Sequence, residues 1–275
     1  MPIKAGAFFM SLIACFCAVF DIPYYAVGKS IDMDRFELVW SDEFDGSALD
    51  ESKWSGHFVP EGTRQRRGGY WNKKMASVSD GCLTISTEYL AEGLDSGPAG
   101  YYSYGMDTRG SFEASSGYFE CRCILPKGKD IWAAFWIYCD GVCDVGDAGV
   151  NGSELDIFES PYFDRSRENM VSSNIHYDGY GDAHKSMGSK KFLIRGDPYS
   201  EFNTFGMEWD EDSYTFYING RKSFSTDFGG VSKVPEFLIL SVETGGDDGI
   251  PESDVLAGAD KSEFIVDYVR AYRFK

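Results

Sequence analysis

Short runs of alternating apolar and polar residues recur along most of the chain, and long helical periodicities are hard to find. Alternation with a period of two is the pattern of β-strands that are buried on one side. The dipeptide Asn219-Gly220 follows one such run and predicts a hairpin turn, because both residues tolerate a positive φ. The pattern predicts an all-β sandwich or jelly roll. The main predicted strands are 82–88, 117–125, 131–138, 154–159, 172–177, 204–209, 214–218, 237–242 and 264–274.

Two tryptophans share one face of the predicted strand 131–138, where Trp132 and Trp136 have the same parity. Residue type alone favours the core for both rings, because large aromatic side chains are mostly buried. The alternative is an open surface on which the rings stack against sugar units. In the strand 117–125, Cys121 and Cys123 also share a face, and we expect them to be buried as small apolar residues.

The strand 154–159 carries three carboxylates among apolar residues, in the order Glu154, Asp156 and Glu159. In a regular strand Glu154 and Asp156 share a face, whereas Glu159 would point into the core, where an unpaired carboxylate is costly. A β-bulge at 157–158 would return Glu159 to the face of the other two acids. Two glutamates at roughly 5 to 5.5 Å provide the nucleophile and the acid/base of a retaining glycosidase. An aspartate between them can separate their pKa values. The alternative, an exposed acidic edge, would interleave Lys or Arg with the acids.

The composition fits a neutral partner. The chain has 275 residues, 43% of them hydrophobic, and a formal net charge of −18. This length and apolar content support a single β-rich domain with a sizeable core. The negative charge disfavours nucleic acid, an anionic membrane surface and, more weakly, a heavily sulfated polymer. Solubility alone is an equally good explanation of the acidic composition.

The N-terminus has the pattern of a targeting segment. Lys4 precedes an apolar run over 8–20 that is short for a membrane span. We therefore predict a signal peptide or leader at 1–20, a connector at 21–35 and one catalytic domain at 36–275, with a secreted or cell-surface location. Alternatives are lipidation at Cys15, which lies in a lipobox-like sequence, and an uncleaved helix. Cys139 and Cys143 could form a disulfide in an oxidising compartment, and the cysteine spacing does not match a zinc site.

The stretch Glu-Leu-Asp-Ile-Phe-Glu at 154–159 resembles the E-x-D-x-x-E motif of glycoside hydrolase family 16, in the bulged form of its laminarinase and agarase branch. Further segments resemble the family from Phe36 to the C-terminus. They are Leu38-Val39-Trp40-Ser41-Asp42-Glu43-Phe44-Asp45-Gly46, Gly117-Tyr118-Phe119-Glu120, Leu125-Pro126-Lys127-Gly128, Trp132-Ala133-Ala134-Phe135-Trp136, Phe205-Gly206-Met207-Glu208-Trp209 and Val266-Asp267-Tyr268-Val269-Arg270.

This resemblance implies a β-jelly-roll of two curved antiparallel sheets with a substrate cleft along the concave one. It implies an endo-acting, retaining hydrolase of a β-linked neutral polysaccharide, foremost β-1,3- or mixed β-1,3/1,4-glucan, which needs no cofactor for catalysis. Glu154 would be the nucleophile, Asp156 the assisting carboxylate and Glu159 the acid/base. The expected sugar-binding residues are Trp132, Trp136, Arg109, Asn72, His176, Trp209 and Glu243. For His176, a structural hydrogen bond is an equally good alternative.

The resemblance also implies a structural Ca²⁺, for which Asp267 and Glu43 would be ligands. Glu243 departs from the family pattern, and the basic loop 61–69 is expected to cap one end of the cleft. We expect a monomer whose partner is a polysaccharide. The alternative functions are hydrolysis of a β-galactan or host glycan, transglycosylation, and sugar binding without catalysis; loss of one of the three acids is the expected mark of the last.

Overall fold

Twenty short strands form in the computed structural model, which describes residues 24–54, 62–160, 169–189, 191–245, 255–256 and 259–275. Three 3₁₀ helices, at Met33–Arg35, Lys73–Met75 and Asp140–Cys143, lie between them. The strands are β1 (Tyr24–Tyr25), β2 (Phe36–Asp42), β3 (Arg64–Arg66), β4 (Gly69–Trp71), β5 (Ala76–Ser79), β6 (Cys82–Leu90), β7 (Gly100–Ser103), β8 (Gly105–Asp107), β9 (Glu113–Ala114), β10 (Gly117–Ile124), β11 (Ile131–Tyr138), β12 (Glu154–Glu159), β13 (Met170–Tyr177), β14 (Lys185–Gly188), β15 (Phe192–Leu193), β16 (Asn203–Trp209), β17 (Tyr214–Ile218), β18 (Arg221–Thr226), β19 (Glu236–Thr244) and β20 (Lys261–Phe274).

The strands form two sheets, as the alternation predicts. The first has the order β1-β15-β13-β12-β11-β19-β8, with β14 beside β13 and β9 beside β19. The second has the order β18-β17-β16-β10-β20-β6-β7-β4-β3, with β2 beside β20 and β5 beside β6. The expectation of purely antiparallel sheets is wrong at two pairs, because β1 runs parallel to β15 and β4 runs parallel to β7. The other strand pairs in the described chain are antiparallel.

One hydrophobic core lies between the two sheets. Phe158 of the first sheet meets Phe205 of the second, with their ring centroids 4.4 Å apart. Cys121 and Cys123 are fully buried beside Phe119 in this core, as predicted. Because side chains alternate along a strand, every second residue of the first sheet faces away from the core. On β11, β12, β13 and β19, this outer face carries the carboxylates and tryptophans predicted for the site.

The segment at the start of the described chain is part of the domain. Tyr24 and Tyr25 pair with Phe192 and Leu193 at the edge of the first sheet. The backbone N–H of Gly28 then donates to the Lys222 carbonyl at 3.0 Å, on an edge strand of the second sheet. The prediction of a connector over 21–35 is therefore wrong from Tyr24 onward, because these residues hydrogen-bond to both sheets. The predicted leader at 1–20 lies outside the described residues.

Two local predictions concern loops. Asn219 and Gly220 form the hairpin turn between β17 and β18, with φ values of 49° and 67°, and this prediction is confirmed. Cys139 precedes a short 3₁₀ helix and Cys143 is its last residue; both are free thiols, so the disulfide considered for them is not formed. Among the described residues, no helix has both the length and the apolar character required to traverse a bilayer.

Candidate active site

A β-bulge in β12 brings the three carboxylates onto one face. Asp156 is paired with Asn174 of β13, whereas Glu159 is paired with Ser172, so three steps along β12 face two steps along β13. The register between β12 and β11 shifts at the same place. The extra residue turns Glu159 to the side of Glu154, away from the core. The predicted bulge is confirmed.

The outer face of the first sheet holds a cavity of about 740 Å³, and all three acids line it. Trp132 and Trp136 line it too. The expectation from residue type alone, that both rings are core, is wrong for Trp132, which is half-buried, whereas Trp136 is buried in a small hydrophobic cluster. The indole N–H of Trp136 donates to Ser241 at 3.1 Å, which fixes the ring although it is only 6% exposed. The lining residues are Arg66, Arg67, Trp132, Ala134, Trp136, Tyr138, Glu154, Asp156, Glu159, Ser160, Ser172, Asn174, His176, Tyr180, His184, Ser189, Lys191, Ser241 and Glu243.

Hydrogen-bonding groups surround Glu154. The Tyr180 hydroxyl donates to Glu154 Oε2. His176 Nε2 lies 3.9 Å from Glu154 Oε1 and 3.3 Å from Asp156 Oδ2. The other nitrogen of this ring, Nδ1, lies 2.9 Å from His184 Nε2, and the two imidazoles are stacked. The predicted placement of His176 in the cleft is therefore confirmed, and it links the acids to the hairpin after β13.

The protein raises the pKa of two of the acids. Burial, followed by the charges of Asp156 and Glu154, holds the pKa of Glu159 well above its ordinary value. His176 and a hydrogen bond donated by Asn174 oppose this shift only in part. Burial, Glu154 and Glu243 likewise raise the pKa of Asp156, which is 4% exposed. A carboxyl group that stays protonated near neutral pH can serve as a general acid.

A basic hairpin lies at one end of the cavity. Arg66 Nε donates to Glu243 Oε1 at 2.6 Å, and Arg67 Nε donates to the other oxygen of the same carboxylate. The Arg67 guanidinium also lies 4.0 Å above the centroid of the Trp132 ring. The hairpin is attached to β19 through the Gly68 N–H, which donates to the Thr244 carbonyl at 3.0 Å. The expected position of this loop and of Glu243 at the cleft is thus confirmed.

Three predicted sugar-binding residues do not line the cavity. Asn72 is 1% exposed, and its side chain accepts from the Lys74 N–H to cap a 3₁₀ helix. Trp209 is 1% exposed in the core, where its indole N–H donates to the Ser232 carbonyl. Arg109 forms an ion pair with Asp140 and lies over the Phe237 ring. The predictions for Asn72 and Trp209 are wrong because local capping and core packing use those side chains; Arg109 is held outside the cavity lining by its ion pair.

The predicted Ca²⁺ ligands are engaged by arginines. Arg270 donates to both carboxylate oxygens of Glu43, at 3.0 and 2.8 Å. Arg122 donates to Asp267 at 2.5 Å. A calcium site requires carboxylate oxygens that are available to the ion. An ion would have to compete with Arg270 for Glu43 and with Arg122 for Asp267 Oδ2, and the calcium site stays a prediction.

Several cavity residues were not predicted. Asn174 alternates with His176 along β13, and extending that parity would have identified it. Tyr180 and His184 belong to the hairpin between β13 and β14, whose sequence Asp178-Gly179 indicates a turn but says nothing about which strand it faces. No local pattern would have placed these two side chains over Glu154.

Comparison with known proteins agrees with this geometry. The family model of the GH16 domain of β-porphyranases A–D matches residues 37–274. The endo-1,3-1,4-β-glycanase ExsH of Rhizobium meliloti is 30% identical over 71% of this chain and 39% of its own length. The β-glucanase of Rhodothermus marinus is 26% identical over 90% of this chain and 88% of its own.

The laminarinase catalytic domain from Thermotoga maritima has a similar structure, with a TM-score of 0.69 and 30% identity over 87% of this chain and 99% of that one. The predicted β-jelly-roll fold is confirmed by this likeness. The chain spans only 39% of the length of ExsH, the first of these relatives. The match over 37–274 nevertheless covers most of this chain, which therefore belongs to glycoside hydrolase family 16.

Proposed function

We propose that the protein is an endo-acting, retaining glycoside hydrolase that cleaves a β-1,3- or mixed β-1,3/1,4-linked glucan. The observation that carries this proposal is the bulge in β12, which places Glu154, Asp156 and Glu159 together in a cavity beside Trp132 and Trp136. Relatives named as a laminarinase, a β-glucanase and a 1,3-1,4-β-glycanase support the glucan.

In the first step, Glu154 attacks the anomeric carbon as Glu159 donates its proton to the leaving glycosidic oxygen. The C–O bond to the leaving sugar breaks, and an ester forms between Glu154 and the retained sugar. In the second step, Glu159 takes a proton from a water molecule whose oxygen attacks the anomeric carbon. The ester bond to Glu154 breaks, and the Glu154 carboxylate is released. Two inversions give net retention. Carboxyl groups and water supply every atom and proton of this scheme, so it requires no cofactor.

The surroundings of the two glutamates support these roles. The raised pKa of Glu159 keeps it protonated for the first step. The hydroxyl of Tyr180 donates to Glu154 Oε2, a contact that fixes the orientation of the carboxyl group for attack. Asp156 lies next to His176, at 3.3 Å, and separates the two glutamates along the strand. We assign to Asp156 the role of positioning the carboxyl group of Glu154.

Aromatic rings in the cavity suit a sugar chain. Trp132, which is half-buried, presents apolar ring surface of the kind that covers the apolar face of a pyranose, and the buried ring of Trp136 borders the same cavity. The cavity is lined by polar and aromatic side chains from several strands, as is typical of small-molecule and oligosaccharide sites. The presence of all three acids in one cavity argues against sugar binding without catalysis.

A second candidate substrate is a β-galactan. The family model that matches the chain describes β-porphyranases, and Arg66, Arg67 and Lys191 line the cavity as cations. The net charge of −18 and the pairing of both arginines with Glu243 favour the neutral glucan. Product sizing after incubation with laminarin, lichenan, agarose, porphyran and mucin glycans separates the two. Oligosaccharide release from galactans alone would overturn the glucan assignment.

Substitution of the nucleophile tests the chemistry. Glu154→Gln should abolish turnover and leave the melting temperature and sugar binding nearly unchanged, since the amide has the same shape as the carboxylate. Substantial residual turnover would place the nucleophile elsewhere. The first product should have the β-anomeric configuration by NMR, and an inverted product would rule out the double displacement.

We also propose that the protein acts outside the cytoplasm. A polysaccharide substrate is too large to cross a membrane freely, and the sequence 1–20 has the composition of a leader. Mass spectrometry of the exported protein locates its N-terminus and reports whether Cys15 carries lipid. An intact N-terminus on protein recovered only from the cytoplasm would contradict this location.

A further inference from the structure

Three possible ligand atoms of different residues lie close together in the cavity. His176 Nε2 lies 3.3 Å from Asp156 Oδ2 and 3.9 Å from Glu154 Oε1, and all three atoms lie within 4.8 Å of one another. Asp156 is only 4% exposed, and its Oδ2 has no hydrogen-bond partner among the described residues. A buried carboxyl oxygen without a donor is stabilised either by a proton on the carboxyl group or by a bound cation.

The second nitrogen of His176 controls what the first can do. Nδ1 lies 2.9 Å from Nε2 of His184. When Nδ1–H donates to His184, the lone pair of His176 Nε2 faces the carboxyl groups of Asp156 and Glu154, and a bound cation would take the place of the proton that Asp156 holds there. Metal-binding histidines are commonly fixed in this way, by a hydrogen bond from the nitrogen that does not bind the ion.

We propose that Glu154, Asp156 and His176 form a binding site for a divalent transition-metal cation of the Zn²⁺ class, and that the bound ion inhibits the enzyme by occupying the nucleophile. Two carboxylates and one imidazole are the donor types of three-ligand zinc sites. Two ligands at about 2.1 Å from a tetrahedral ion lie about 3.4 Å apart. The His176–Asp156 pair, at 3.3 Å, matches this separation, and the His176–Glu154 pair, at 3.9 Å, would close slightly around the ion. The nitrogen ligand disfavours Ca²⁺ and Mg²⁺, which prefer oxygen.

The ion can reach this position. The side chains of Glu154 and His176 are 17% and 22% exposed, and both line the open cavity. The Tyr180 hydroxyl is bonded to Glu154 Oε2 and so leaves Oε1 directed at His176. Binding of the ion needs none of the sugar chemistry, whereas its inhibitory effect rests on the proposed hydrolase activity.

Calorimetric titration with Zn²⁺ tests the site directly. Glu159→Gln keeps the three ligands and removes the acid, so it allows titration with and without the oligosaccharide that the polysaccharide panel identifies. We expect one ion to bind and the sugar to compete with it. His176→Ala and Asp156→Asn in this background should weaken the affinity by at least about tenfold, and His184→Ala, which removes only the supporting partner, by roughly tenfold.

Asp182→Asn is the matched control, because it removes an exposed negative charge from the same hairpin without touching the three ligands. Its affinity for Zn²⁺ should equal that of the parent. Zinc bound by the free thiols is common to all these variants and cancels in the comparison. Thermal melting of each variant without metal establishes that it is folded.

Turnover of the unsubstituted enzyme should fall on adding Zn²⁺ and recover with EDTA. Equal zinc affinity in the parent and in the folded His176→Ala and Asp156→Asn variants would overturn the site. Binding at the site without loss of turnover would overturn the inhibition. If no polysaccharide is hydrolysed, the proposed function fails, while the titration still tests the ion site. If Zn²⁺ does not bind but polysaccharide is hydrolysed, the ion site is overturned and the proposed function stands.

Discussion

Replacing the buried Glu236 by Gln should remove a pH-dependent instability from the fold. Glu236 begins β19 at 1% exposure, and its Oε1 accepts the backbone N–H of Ser153 at 3.0 Å, one residue before Glu154. Burial raises the pKa of Glu236 to about 8, and hydrogen bonds with Ser232, Ser153 and Cys139 oppose that shift only in part.

The direction of the pH effect follows from proton linkage. In the unfolded chain a glutamate ionises near about pH 4.3, whereas in the folded protein this one stays protonated until about pH 8. Between these values only the unfolded state is charged, so the contribution of Glu236 to stability decreases as pH rises. The loss approaches about 1.4 kcal/mol for each pH unit, and it amounts to about 2.5 kcal/mol between pH 5 and pH 7.

Urea unfolding of the parent and of Glu236→Gln at several pH values between 5 and 7 measures this effect. Gln keeps an oxygen to accept the Ser153 N–H, and it resembles the protonated acid in shape. The stability of Glu236→Gln relative to the parent should therefore increase by about 2.5 kcal/mol over this range, whatever the fixed difference between the two side chains. Its turnover relative to the parent should be unchanged at pH 6.

Glu113→Gln is the control, since it removes an exposed carboxylate from the neighbouring strand β9. Gln keeps an oxygen that can accept the Gly110 N–H, which lies 3.1 Å from Glu113 Oε1, so this variant controls for the loss of one negative charge near β19. A constant difference between Glu236→Gln and the parent across pH 5 to 7 would refute the reasoning, because it would show that Glu236 ionises alike in both states.

Three further predictions concern the catalytic strand and its neighbours. Glu159→Ala should retain most activity on aryl glycosides with good leaving groups and should respond to added azide. The fall of kcat/KM at alkaline pH, which the raised pKa of Glu159 produces, should disappear in this variant. Unchanged hydrolysis of the polysaccharide would contradict this role. Tyr180→Phe removes the hydroxyl that donates to Glu154 and should lower kcat by roughly ten- to a hundredfold with a small change in KM, given about 1.5 to 3 kcal/mol for a hydrogen bond to a charged group; wild-type kcat would show that this contact does not position the nucleophile. Glu243→Gln weakens the anchor of two guanidinium groups and should raise KM severalfold in steady-state assays while kcat stays near the parent value, and an unchanged KM would exclude a role for this end of the cavity in binding.

Sequence periodicity predicted the central strands of the site because two independent features agree there, the alternation of side chains along a strand and the energetic cost of burying a carboxylate. Alternation put Trp132 and Trp136 on one face, and the cost of a buried carboxylate required the irregularity before Glu159. Both features are decided within a few residues, so they can be read locally. The correct face for the tryptophans was reached only through the family resemblance, since aromatic side chains are equally at home in a core.

The contacts that sequence reasoning missed join distant parts of the chain. The pairing of Arg66 with Glu243 spans 177 residues, and the pairing of Tyr180 with Glu154 spans 26. Such contacts depend on the order of strands in the sheet, which local patterns do not contain. The prediction of Asn72 as a sugar ligand was wrong because a local contact, not a distant one, was overlooked. An Asn before a 3₁₀ helix has a local partner in the backbone, and capping of this kind occupies its side chain.

The bulge itself is stabilised from the core side. Leu155, Ile157 and Phe158 are 0%, 2% and 0% exposed, so two consecutive residues, Ile157 and Phe158, point inward. A regular strand could bury only one of them, and exposing a Phe instead would forfeit about 1.5 to 3 kcal/mol. Phe158 packs against Phe205 of the opposite sheet, and this contact holds the irregular register in place. Hydrophobic burial on one side of β12 thus turns the next side chain, Glu159, into the cavity on the other side, so that packing in the core sets the geometry of the proposed acid/base.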